Sequence, residues 1–335
     1  VDPTLVIAVG CLGAELRTWS GYGRHRVGVD ERVLTERFAV FPRPPPPGVS
    51  RNGTCRLFAT RDGWVAVNLP RAEDLGMVPA LLGEDGEGEP WARLADALPR
   101  RSAAALGQQA ALLGLAVSVL GEATPAEPAQ VPASSARARA WRVAPRVVDL
   151  STLWAGPLCG ALLAEAGCEV IRIESLRRPD RTAETQPAFH ARLNGAKRLV
   201  PLDLSSAEGR DALATLVRDT DVVITNARPR GLASIGLPDA LGDEVIHVAI
   251  TAHGLEEPGA DRIGFGDDCA VAGGLVDFDR DGVPSFVADA VADPLTGVSA
   301  AVRALRALAL RECGTLDVSL AATAARVARL RRQHA

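Results

Sequence analysis

The sequence predicts an α/β protein, a mostly parallel sheet with flanking helices joined to a smaller α+β domain. Three observations carry this. From residue 146 onward, short apolar runs at 146–150, 169–174, 199–203, 221–225 and 246–251 alternate with helical stretches at 157–166, 206–219, 267–276 and 293–311. Strands separated by single helices imply parallel pairing. The stretch 147–174 is a complete strand–turn–helix–strand unit. Residues 54–69 read instead as a β-hairpin, with alternating strands about a turn at Arg61-Asp62-Gly63.

Taken in order, residues 1–50 are poorly periodic and end in the Pro-rich run Phe41–Pro47, a stiff extended segment. After the hairpin, Ala72–Leu82, Trp91–Leu98 and Ala103–Leu113 read as helices, with a polar loop over Gly83–Pro90. Residues 121–140 are rich in Ala, Pro, Ser and Arg, which suits a linker. They divide a smaller domain, 1–140, from an α/β domain, 141–335. The latter opens on Val147–Leu150. Trp154–Pro157 reads as a tight turn, Leu158–Ala166 as a helix, and Gly167 as the left-handed residue that closes it. A charged Arg-rich loop follows the second strand, as where open α/β proteins bind nucleotides at strand carboxyl ends. Gly314–Leu320 is a last strand before an Arg-flanked helix. No internal repeat is evident.

Composition narrows the function. A net charge of −4 and a pI of about 5.8 argue against nucleic acid as the main partner. No apolar run reaches transmembrane length and the N-terminus lacks a signal pattern, so no membrane association is expected. The chain opens on Val rather than Met, so its true start is expected to be missing or processed. The six cysteines show no CxxC spacing; reduced thiols, no metal site and a cytoplasmic location are expected. Of 37 basic residues only Lys197 is lysine. Two readings fit: a bias toward Arg, or a position that arginine cannot serve, because ammonium and guanidinium differ in shape.

Six segments stand in a telling order. They are V-V-D-L-S-T-L-W-A-G-P (147–157), E-V-I-R-I-E (169–174), N-G-A-K-R-L-V-P-L-D-L (194–204), D-V-V-I-T-N-A-R-P-R-G-L (221–232), I-T-A-H-G (250–254) and F-V-A-D-A-V-A-D-P-L-T-G (286–297). G-T-L-D-V-S-L follows at 314–320. In these the chain resembles the class III CoA-transferase superfamily, which includes formyl-CoA and carnitine CoA-transferases and α-methylacyl-CoA racemase. The resemblance implies a Rossmann-like sheet, coenzyme A as acyl-CoA substrate, a carboxylic acid as co-substrate, no metal, and a homodimer.

It also implies a nucleophile at Asp293. The residues themselves leave two roles open there, since Asp followed by Pro is also a helix cap, and the roles can coexist. Helix N–H groups are expected to lower its pKa and keep it ionised. By the resemblance, the nucleotide meets Trp154 and Ala155 in the first turn, then Arg177 and Arg178, which also read as a solvated loop. Asn194, Lys197, Arg198, Asn226, Arg228 and Arg230 complete the set. Oxyanion donors are expected from the helix start after Asp293 and the backbone near Gly273-Gly274.

Departures leave room for other readings. Transferases often carry an acid before the Gly-Gly helix, and racemases a His-Asp pair; here the stretch reads Gly264-Phe265-Gly266-Asp267-Asp268, with Gly266 at the acidic position. Asp267 or Asp268 could substitute, or simply complement the helix start. In the family the smaller domain follows the nucleophile segment; here the hairpin that resembles part of it comes first, so the chain reads as a permuted version. The leading expectation is an acyl-CoA:carboxylate CoA-transferase working through an aspartyl mixed anhydride and an aspartyl-CoA thioester. An α-methylacyl-CoA racemase, with Asp267, Asp268 or His253 as second acid/base, is the alternative. A non-catalytic CoA-binding subunit is the third. A nicotinamide-dependent dehydrogenase is disfavoured, since W-A-G-P replaces the Gly-rich fingerprint.

Overall fold

The hairpin forms where the alternation placed it. In the computed structural model, which describes residues 2–84, 87–127, 129–132 and 143–334, β1 (Cys55–Thr60) pairs antiparallel with β2 (Gly63–Asn68) across a two-residue turn. The Asp62 carboxylate ties that turn to the start of the helix Ala103–Leu113, accepting from the Ala103 N–H and the Ser102 hydroxyl, both at 2.8 Å. β3 (Ala116–Val119) adds a third antiparallel strand. Helix 90–97, the 3-10 turn 98–100 and helix 103–113 bury Leu94, Leu98 and Leu106 against this sheet.

The larger sheet has seven strands. They are β4 (Ala129–Pro132), β5 (Arg146–Asp149), β6 (Glu169–Ser175), β7 (Arg198–Leu202), β8 (Val222–Thr225), β9 (Ile246–Thr251) and β12 (Gly314–Ser319). The order is β4-β12-β9-β8-β5-β6-β7. Six strands run parallel and β4 runs antiparallel on the edge beside β12. The middle strands β8 and β9 are almost wholly buried, as expected of strands covered on both faces. A two-stranded ribbon, β10 (Val276–Phe278) with β11 (Pro284–Phe286), stands apart.

Several expectations change. The first fifty residues hold the helix Pro3–Ser20, capped by the Asp2 carboxylate on the Thr4 N–H at 2.7 Å. It buries Leu5, Ala8, Val9 and Leu16 in one core with the helix Ala292–Leu310. Both long helices start beside an Asp-Pro pair, Asp2-Pro3 and Asp293-Pro294. The stretch 72–82 is two short helices, 72–76 and 78–82. Pro79, which has no N–H to donate, fits only the first turn of the second. Of the linker expected over 121–140, residues 129–132 form β4, and 133–140 lie outside the described residues. Trp154–Pro157 is not a free-standing turn, because the helix starts at Ala155. Its entry is held by Leu153 at φ +71°, and Gly167 beyond its end has φ +99°.

Candidate active site

Four carboxyl groups converge where the helix Gly266–Ala272 meets the start of Ala292–Leu310. Asp267 and Asp268 come from the first turn of the shorter helix, Asp289 from the loop before the longer one, and Asp293 from its first turn. The first three are buried. Asp293 lines an adjoining cleft of about 650 Å³. Each acid is held in place. Asp268 Oδ1 accepts from Asn68 Nδ2 at 2.8 Å and the Phe265 N–H at 3.0 Å. Asp267 Oδ1 accepts from the Ala290 N–H at 2.8 Å, fixing a non-glycine residue with φ +45°. Asp289 takes both arms of Arg37, at 2.6 and 2.8 Å.

Burial sets the protonation of this cluster. The Asp293 carboxyl is pushed up to about 7 by burial, opposed by Arg37 and reinforced by Asp268 and Asp289. Burial likewise raises Asp267 to about 7 and Asp268 to about 6. This corrects the expectation of a carboxylate kept acidic by helix N–H groups. Asp293 is not the helix cap either. The cap position falls on Val291, and Asp293 sits inside the first turn, where its carboxylate accepts from the Gly266 N–H. Gly266 permits this approach, since a Cβ there would stand 2.4 Å from Asp293 Oδ2 and 2.4 Å from the Ala290 carbonyl.

The cleft opens at the carboxyl ends of β5, β8 and β9. Of the expected nucleotide contacts, Ala155, Arg178, Asn226, Arg228 and Arg230 line it together with Asp293. Asn226 is engaged there with the first turn, donating to the Thr152 carbonyl at 2.8 Å and accepting from the Thr152 N–H at 3.2 Å. It shapes the cleft wall as a clamp on that turn.

The remaining candidates lie elsewhere. Trp154 is 1% exposed and packs edge-on against Phe189, ring centres 5.1 Å apart. Arg177 points to solvent and pairs with Asp203 at 3.2 Å. Arg198 is exposed on the edge strand β7. Lys197 is buried beneath the 155–165 helix. Its ammonium donates to Asp149 Oδ2 at 2.7 Å, the Pro157 carbonyl at 2.8 Å and Asn194 Oδ1 at 3.0 Å. Three donors meet three acceptors, which accounts for lysine at this position without a phosphate. Asn194 also accepts from buried Arg172 at 3.0 Å, so Asn194 and Lys197 form an internal network.

His253 is half-buried, and its Nε2 hydrogen-bonds to none of the described residues. Burial pushes its pKa down to about 3, so it is neutral at ordinary pH. The donor atoms of His253, Asp268 and Cys269 lie within 4.8 Å of one another. Asp268 is already held by Asn68 and Phe265, and burial pushes the Cys269 thiol well above its usual range. Gly273 and Gly274 do not offer oxyanion donors, because their N–H groups bond the Cys269 and Val271 carbonyls at 3.0 and 2.9 Å. Gly273 instead lets the 320–334 helix approach, a Cβ there falling 2.4 Å from the Ala325 nitrogen.

Four side chains at the site had no local signal. Arg71 and Arg262 line the cleft, Asn68 reaches Asp268 from the hairpin, and Arg37 reaches Asp289 from 252 residues away. Asn68 ends a strand, Arg71 and Arg262 lie in loops and Arg37 lies in a 3-10 turn, and only the tertiary fold brings them to one site.

This geometry stands on a sequence match. Residues 145–332, more than half the chain, match the family model of CoA-transferase family III. The chain belongs to CoA-transferase family III. Succinate--glutarate CoA-transferase of Agrobacterium fabrum is 34% identical over 174 residues, covering 46% of this chain and 43% of that protein. Succinyl-CoA--D-citramalate CoA-transferase of Chloroflexus aurantiacus is 32% identical over 180 residues, covering 50% and 45%. The chain thus spans less than half the length of these family III relatives. Among solved structures, a CAIB/BAIF family protein from Brucella suis superposes with a TM-score of 0.52 at 29% identity, covering 56% of this chain and 55% of that one.

Proposed function

We propose that this chain moves coenzyme A from an acyl-CoA to a carboxylic acid, with Asp293 as nucleophile. One observation carries the reading: Asp293 is the single member of the buried acid cluster that lines a cleft also lined by Arg71, Arg178, Arg228 and Arg230. Arginines suit the phosphates of a CoA nucleotide, and the carboxylate suits the thioester at the far end of the same molecule. The family membership supports this assignment.

In this reading the ionised Asp293 carboxylate attacks the thioester carbonyl. The C–S bond breaks, CoA leaves as thiolate, and an aspartyl–acyl anhydride remains. The thiolate then attacks the aspartyl carbonyl and expels the first acid as its carboxylate. The second acid attacks the aspartyl-CoA thioester and releases the thiolate. That thiolate takes the new acyl group from the second anhydride and frees Asp293. Asp267, raised to about 7 like Asp293, keeps part of its proton near neutral pH, whereas Asp268, at about 6, ionises before Asp293 does. The cytoplasmic placement and the homodimer belong to the same proposal.

The test is mass analysis of thioesters after incubation in deuterated water with a panel of acyl-CoAs and free acids. New thioesters without deuterium support transfer. Deuterium gain on an unchanged thioester would replace this reading with α-proton exchange between Asp293 and a second acid.

A further inference from the structure

The segment before the Pro-rich run delivers one cation into the acid cluster. Arg37 stands on a short 3-10 turn, Glu36–Ala39. Its side chain is 12% exposed and that of its partner Asp289 is 0% exposed. The guanidinium lies 5.0 Å from the Trp154 ring centre and 5.4 Å from that of Phe41. Aromatic faces and a two-armed carboxylate contact fix a planar cation in one orientation.

We propose that Arg37 is a positioning residue for the reaction: it pins the Asp289 loop beside Asp293 and supplies the positive charge that allows the Asp293 carboxylate to ionise. The groups facing Asp293 make the need clear. Asp268 acts on it from the 266–272 helix and Asp289 from the preceding loop, while Asp267 stands beside Asp289 and Asp268. Cys269 adds a protonated thiol. Arg37, held on Asp289 at 2.6 and 2.8 Å, brings the positive charge that opposes burial at Asp293, while Asp268 and Asp289 act the other way. Arg262 also lines the cleft, but its guanidinium is committed to Glu122 at 2.6 Å and the Val117 carbonyl at 3.2 Å. Trp154 therefore serves the site from below, as the face on which Arg37 rests.

This inference deepens the nucleophile assignment and rests on it, so its test does not depend on turnover. The Asp293 carboxyl is followed by carbon-13 NMR titration, with Asp293→Asn to identify its resonance. Arg37→Gln should raise the midpoint by about one pH unit or more, the scale of losing a nearby opposite charge. Arg37→Lys should recover part of that shift. Asp289→Asn should move the midpoint the other way, because it removes a negative neighbour. If Arg37→Gln proves too unstable, Arg37→Gln with Asp289→Asn leaves no buried charge unpaired, and its midpoint should fall between those of the single variants. A midpoint unchanged in Arg37→Gln, or singles that shift in the same direction, would overturn the inference whether or not the protein transfers CoA. Opposite shifts in a protein without transfer activity would uphold the electrostatic coupling and reject only the CoA-transfer reading.

Discussion

Lys197 Nζ lies 2.7 Å from Asp149 Oδ2, with both side chains shielded from solvent. The single lysine of the chain is a structural ion beneath the first helix of the α/β unit. Removing one partner of a buried pair leaves the other charge uncompensated, at about 3–5 kcal/mol. Lys197→Ala should therefore lower the urea-unfolding free energy by that amount, while the folded fraction keeps its affinity for CoA. A variant of unchanged stability that loses CoA affinity would return Lys197 to the nucleotide site. Lys197→Arg should also destabilise, because a Cβ at Gly160 would already fall 2.8 Å from Nζ, so a larger head group has no room.

Gly266→Ala tests the closeness of the two helix starts. The added methyl would meet Asp293 Oδ2 and the Ala290 carbonyl. Overpacking of this kind costs about 1–3 kcal/mol, and here it displaces the proposed nucleophile. Turnover should fall by about 100-fold with a cooperative thermal transition retained. Wild-type turnover in the variant would mean that Asp293 need not sit where it does.

The acid cluster ties stability to pH with a definite sign. Asp267 and Asp293 are raised to about 7 and Asp268 to about 6, from an ordinary value of 3.8. Between about pH 4 and pH 7 the folded chain therefore keeps protons that the unfolded chain has released, so these groups make stability fall as pH rises through that window. Asp267→Asn should stabilise the protein more at pH 8 than at pH 5, since the amide oxygen can still accept from the Ala290 N–H. Unfolding at the two pH values checks this. Transfer should run the opposite way, rising with pH to a plateau above about 7, because the attacking form of Asp293 is the carboxylate.

These outcomes mark how far the residues could be read in line. The parallel strands and the hairpin were legible because apolar alternation and Gly-closed helices are local. The place of Asp293 in the first turn of a helix was legible through Asp293-Pro294 and the motif around it. Its protonation was not, since burial among Asp267, Asp268 and Asp289 arises only when two helices and a loop meet. The nucleotide candidates divide for the same reason. Arg228 and Arg230 follow β8, which ends at the cleft, and Arg178 reaches it from the loop after β6, whereas Lys197 opens a strand near the sheet edge with its side chain turned inward. The 3–20 helix was missed although Leu5, Ala8, Val9 and Leu16 keep helical spacing, because its Gly-containing stretch blurs the period.

The cleft arginines separate binding from chemistry. Arg228→Gln and Arg71→Gln should each weaken CoA binding, less so in high salt where charge contacts are screened, and should spare an acyl-pantetheine substrate that lacks the nucleotide. Calorimetric titration at two salt concentrations, with turnover of both substrates, checks this. Equal losses with both substrates would move the nucleotide elsewhere.

The most direct test of the central claim is covalent. The protein is mixed with acyl-CoA in the absence of an acceptor acid, trapped with borohydride, digested and mapped by mass spectrometry. The account predicts reduction at Asp293 alone, and none in Asp293→Asn. Transfer that persists in Asp293→Asn, or a reduced residue elsewhere, would contradict it.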